Sequence, residues 1–136
     1  MNSTLRNIAA VLIGIVAGGL VNSTLVTYSD FFIALPKGFD PNDPESLIEF
    51  MPLFETKHFI MPFLSHALGT LAGAAITGLI CTKKSIQLVY IISGVFFLGG
   101  TAMLIMISSP LWFAVIDLTF AYFPMAWLAK KITSRK

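Results

Sequence analysis

Four long apolar stretches, separated by short polar ones, dominate the chain. The first runs from Ile8 to about Tyr28, the second from about Phe59 to Ile80, the third from Ile86 to Ile107 and the fourth from Leu111 to Ala129. Each is close to the ~20 residues that a helix needs to cross the hydrocarbon core of a bilayer. The first stretch follows Arg6 in the manner of a signal peptide, but it has no clear small-x-small cleavage pattern and is read as a retained helix. The pattern predicts an all-α membrane protein, a four-transmembrane-helix bundle, in one integral membrane domain over residues 1–136.

The long polar interval, 29–57, predicts structure of its own. Leu35-Pro-Lys-Gly-Phe-Asp-Pro-Asn42 carries turn chemistry. Asp43 suits a helix N-cap, Pro44 the first helical position and Glu45 the positive helix end. Leu47, Ile48, Phe50 and Met51 follow, and Pro52 limits the helix. A short extracytoplasmic amphipathic helix is therefore expected between spans one and two, with Glu45 and Glu49 on its polar face. Ser108-Ser-Pro110 is a tight turn that makes spans three and four antiparallel neighbours.

Composition agrees with a membrane location: 56% of residues are apolar and 12% charged. The charges also suggest an orientation. Arg6, Lys83, Lys84, Lys130, Lys131, Arg135 and Lys136 fall on one side of a four-span topology. The segment 29–57 holds the two remaining basic residues, Lys37 and Lys57, against six acids, a net charge of −4. The positive-inside rule then places both termini in the cytoplasm and the acidic segment outside a bacterial inner membrane. The basic tail is read as a topology signal and a lipid-headgroup contact rather than a nucleic-acid surface. Cys81 is the single cysteine, so no internal disulfide is possible. No cofactor loop or metal-spacing motif occurs, and neither a cofactor nor a metal is expected.

Asp117 is the acid that falls inside a span. A carboxyl at that depth costs roughly 2.5–3.5 kcal/mol on insertion scales and needs a partner, water or a proton. His66 lies about eight residues into span two, roughly 12 Å down, near the level of Asp117 in span four. Asn22 and Thr101 reach a similar level in spans one and three. On span two, His58, Pro62, Ser65, His66, Gly69 and Gly73 share one polar or small face, with a kink expected at Pro62. The candidate binding site is therefore His66 and Asp117 with Asn22, Ser65 and Thr101. His58, Glu45 and Glu49 stand at a candidate outer mouth. The alternative is a purely structural pair that sets helix register.

Ala10, Gly14 and Gly18 in span one, and Ser65, Gly69, Gly73 and Thr77 in span two, recur at every fourth position. Such spacing lets helices approach closely. It serves packing inside the bundle or, alternatively, a homo-oligomer or partner-protein face through Gly14, Gly18, Gly69 and Gly73.

The His58–Gly73 motif, the Pro44-Glu-Ser-Leu segment and the Pro110-Leu-Trp-Phe…Asp117 span together resemble a group of small bacterial four-span membrane proteins. No activity attaches to that group, so the resemblance implies a topology alone. Three functions compete. The leading one is a small protein that binds or transports a solute or cation from outside, with His66 as ligand or proton acceptor and Asp117 as counter-charge. The second is an accessory subunit of a larger membrane complex. The third is an embedded enzyme acting on a lipid or quinone.

Overall fold

A computed structural model describes residues 2–134; Arg135 and Lys136, counted above among the basic residues, lie outside them. Helix α1 covers Ser3–Thr27 and is capped by Asn2, whose side chain accepts the Thr4 N–H at 3.0 Å. Helix α2 covers Pro44–Phe50, and a 3-10 turn at Thr56–Phe59 leads into α3, Ile60–Ile80. A 3-10 stretch at Lys83–Leu88 leads into α4, Val89–Met106. Helices α5, Leu111–Phe120, and α6, Phe123–Thr133, complete the chain.

Four stretches are long and apolar enough to cross a membrane: Ser3–Thr27, Thr56–Ile80, Lys83–Met106 and Leu111–Thr133. The chain is a polytopic, multi-pass membrane protein whose outward surface is apolar. Leu12, Val16 and Leu20 of α1, Leu98 and Ile105 of α4 and Val115 of α5 all face outward, where acyl chains solvate them without cost. An even number of crossings puts residues 2 and 134 on one face and 29–57 on the other.

The 29–57 segment is a folded cap. Asp43 accepts the Glu45 N–H at 3.1 Å and Pro44 opens α2, as its residue types predict. Pro52 ends α2 in a 3-10 turn, Met51–Leu53. Gly38 takes φ +88° in the turn that bonds the Phe39 N–H to the Pro36 carbonyl, a backbone state that a side chain would strain. Phe39, Phe54, Phe59 and Phe113 pack in series from the cap down to α5, the first two pairs edge to face and the third tilted, at centroid distances of 5.1, 5.8 and 4.8 Å. Pro62 sits in the first turn of α3, where its missing N–H breaks no bond. The expected kink at Pro62 therefore has no lost helical bond to cause it, and α3 runs unbroken from Ile60 to Ile80.

Helix α3 is the hub and packs against α1, α4 and α6. Its antiparallel contact with α1 is a small-residue zipper. A Cβ on Gly14 would lie 2.7 Å from the Gly73 carbonyl oxygen, and one on Gly18 2.6 Å from that of Gly69. The Thr77 hydroxyl donates across the same seam to the Ala10 carbonyl at 3.1 Å. The faces of Gly14, Gly18, Gly69 and Gly73 are therefore buried against each other within the chain. The small-residue spacing thus serves packing inside the bundle, and the alternative of an oligomer or partner face through these glycines finds no support: backbones this close leave no room for a second molecule.

The basic end is close-packed around Ala74, Val89, Ile92, Ala126 and Ala129. There Arg6 donates to the Ile80 and Cys81 carbonyls, closing the C-terminus of α3 with positive charge where the helix dipole favours it. Lys130 and Lys131 lie over the Tyr90 and Trp127 rings, an aromatic-basic border of the kind found at membrane interfaces. Cys81, at this end, is buried, and burial pushes its thiol above the ordinary range, against the opposing Arg6 charge. A raised value means less thiolate at any given pH, and thiolate is the reactive form. Maleimide labelling at neutral pH should therefore run at least about tenfold slower in mild detergent than after denaturation in SDS. Equal rates would show that this end is open.

Candidate functional site

The fourth span is two helices rather than the single one its apolar run predicts. The break falls at Ala121–Tyr122, where Tyr122 has φ −117° and ψ −79°. Pro124 enforces it, because proline has no N–H to return to the Phe120 carbonyl and its ring clashes there. Asp117 is on the last turn of α5, just ahead of the break. Its side chain is fully buried.

Two donors meet this carboxylate. His66 Nδ1 lies 2.9 Å from Oδ1 and 3.0 Å from Oδ2, and the Tyr122 hydroxyl donates to Oδ2 at 3.0 Å. With Asp117 ionised, Nδ1 must carry the hydrogen, so neutral His66 has a bare Nε2. The Tyr122 ring stacks on His66 at 5.8 Å and 28°, and meets Phe97 edge-on. Gly100 on α4 makes room for it, since a Cβ there would strike the Tyr122 hydroxyl. Sequence reading overlooked Tyr122 and Gly100. The available signal was Tyr-Phe-Pro five residues beyond Asp117: a polar ring set beside a helix breaker.

A cavity of about 200 Å³ lies between the cap and the bundle. Its walls are mostly apolar and include Phe39, Phe54, Phe59, Phe113 and Met103. Asn22, Ser29, His58, His66 and Ser109 supply the polar lining. His66 borders the cavity while its Nδ1 is engaged by Asp117, which is not part of the wall. Among the described residues nothing bonds to Nε2. Two further side-chain oxygens on the wall, Asn22 Oδ1 and Ser109 Oγ, are buried without a partner. Unsatisfied buried polar atoms are rare in folded proteins, and the two among the described residues belong to side chains that line one cavity.

Other residues proposed from sequence go elsewhere. Ser65 is buried and donates to the Pro62 carbonyl at 2.7 Å, and Thr101 donates to Phe97 at 2.7 Å, so each is satisfied within its own helix. His58 is buried rather than placed at an open mouth. Its Nδ1 accepts the Glu55 N–H at 2.8 Å and its Nε2 faces the Ala34 carbonyl at 3.2 Å. It pins the cap to α3. Glu45 and Glu49 are exposed on α2 and do not line the cavity. Of the expected layer, His66 and Asp117 come into contact and Asn22 lines the same cavity as His66, whereas Ser65 and Thr101 do neither. No protein-family model matches this chain, and no curated protein or solved structure matches it either.

Proposed function

We propose that this membrane protein binds a small solute in the cavity beneath the cap, with His66 as the contact group and Asp117 as the buried counter-charge that orients it. The observation that carries this reading is a ring nitrogen without a protein partner, held by a buried carboxylate, on the wall of a largely apolar cavity. A few convergent polar groups in an apolar pocket are the usual make-up of a small-molecule site. The size suits one ring with a short substituent, since an apolar cavity of about 150 Å³ accommodates benzene. The charge pattern supports access from the side opposite the cytoplasm. The break in the fourth span supports passage of the solute beyond this level. Irregular backbone at membrane depth occurs where it is buried in protein or borders a cavity, as in transporters with interrupted helices.

Benzyl alcohol is a suitable neutral probe. Ligand-observed NMR on the protein in micelles should show saturable binding. Val26 lines the cavity, and Val26→Trp should fill it and weaken binding by more than about tenfold, the effect of losing one good contact set. Leu98→Trp, at a lipid-facing position, should leave binding as it is. Unchanged affinity in Val26→Trp would mean the probe sits in the micelle or on another surface, and the cavity would not be a binding site.

A further inference from the structure

Building on the binding reading above, we infer that the cavity selects a protonated amine carried on a small apolar body, and that this ammonium and a proton on His66 exclude one another. Three features converge on this class of ligand.

The first is charge. Asp117 is fully buried at membrane depth, and Tyr122 offers it a hydrogen bond but no charge. With His66 neutral the group carries one uncompensated negative charge, an expensive state in hydrocarbon. A proton on Nε2 neutralises it, and so does a cation placed against Nε2. A neutral alcohol does not, and a carboxylate adds to the imbalance.

The second is hydrogen-bond polarity. Neutral His66 Nε2 and Asn22 Oδ1 both accept, and neither has a partner among the described residues. An ammonium has only hydrogens to offer and suits a wall of acceptors. An alcohol has one hydrogen and brings lone pairs of its own. Bonds from a charged donor are roughly twice as strong as neutral ones.

The third is the approach. The rings of Phe39, Phe54, Phe59 and Phe113 stand on the cavity wall, and aromatic faces attract cations by about 0.5–2 kcal/mol. The cap over the cavity carries Asp30, Asp40, Asp43, Glu45, Glu49 and Glu55 against Lys37 and Lys57. That excess draws cations in and turns anions away.

The proton competition follows from the groups that face His66. These are Asp117 from α5 and Tyr122 from the break. On the wall, His58 has both nitrogens engaged with the cap backbone, and α1 and α4 contribute no ionisable side chain. Imidazolium at position 66 has an N–H at Nε2, which repels an ammonium and cannot accept from it. Loading the amine onto that form therefore requires the Nε2 proton to leave for solvent. One cation enters as one proton departs, and the charge of the site is unchanged.

Calorimetric titration in weakly buffered micelles with benzylamine, benzyl alcohol and benzoate tests this. Benzylamine should bind about tenfold more tightly than benzyl alcohol, and benzoate should show no saturable binding. Where His66 is protonated, each unit drop in pH should weaken benzylamine by up to about tenfold with proton release on binding, and benzyl alcohol by less than about twofold. Asp117→Asn, which removes the counter-charge, should bring benzylamine affinity down to that of benzyl alcohol or below. If benzyl alcohol binds in the cavity as well as benzylamine, the amine assignment falls and the binding reading stands. A pH-independent amine affinity overturns the competition. If none of the three binds, both the inference and the reading beneath it fail.

Discussion

Asp117→Ala should destabilise the folded bundle by about 3 kcal/mol, the lower end of what removing one partner of a buried pair costs. Single polar contacts in membrane proteins average far less, about 0.6 kcal/mol, because the unfolded chain in the bilayer finds other partners. The larger figure applies here for a structural reason. Asp117 is the common acceptor for His66 and Tyr122, and it is wholly enclosed. Alanine strips both donors at once, opens a void beside the helix break and lets water reach neither. Asp117→Asn keeps the volume and one acceptor oxygen, so its cost should be about 1 kcal/mol. Tyr122→Phe loses one bond and should fall in the same range. Unfolding in mixed micelles, followed by circular dichroism, ranks the three variants. If alanine proves no worse than asparagine, Asp117 is not the shared anchor that its contacts suggest.

Gly14→Val should separate α1 from α3 and cost about 3 kcal/mol or more, at the upper end for forcing extra atoms into a packed interior. The obstacle is backbone: the Gly73 carbonyl oxygen lies 2.7 Å from the site of the new Cβ, with the Thr77 hydroxyl closer still. A flexible side chain could swing away, whereas a helix backbone can yield only if the whole seam opens. That would also break the Thr77 to Ala10 bond and loosen Asn22, which packs beside Gly69. Gly19 supplies the internal control. It lies on the same helix with nothing within 4 Å of a Cβ, so Gly19→Ala should be neutral or stabilising by up to about 1 kcal/mol. Comparable losses in both variants would mean that glycine is needed on α1 for a reason other than close approach.

Much of the fold was legible because the bilayer imposes a simple rule. Backbone polar groups must bond internally, so an uncharged stretch of sufficient length becomes a helix. Asp43-Pro44-Glu45 declared the start of α2 through capping chemistry, which is local. The four-residue spacing of Gly14, Gly18, Gly69 and Gly73 announced close packing, though not with which surface. The misplaced expectations share a cause. Thr101 looked like a member of a polar layer because of its depth and Ser65 because of its helix face, yet a hydroxyl on a helix satisfies itself on the carbonyl three or four residues back. His58 looked like an outer-mouth residue because it sits near a helix end. Nothing local reveals that the cap folds back onto it.

The sequence by itself determined the four crossings, the capped amphipathic helix, the small-residue seams and the depth of the ionisable groups. Each of these follows from length, periodicity or the preferences of one residue and its near neighbours. Only the tertiary structure decided that His66 meets Asp117, that Tyr122 completes the group through a break in the fourth span, and that a cavity opens beside them. Those outcomes depend on the rotation of each helix about its axis and on which helices become neighbours. Both are set by the fit of side chains across many seams at once, and no short stretch of chain contains that information.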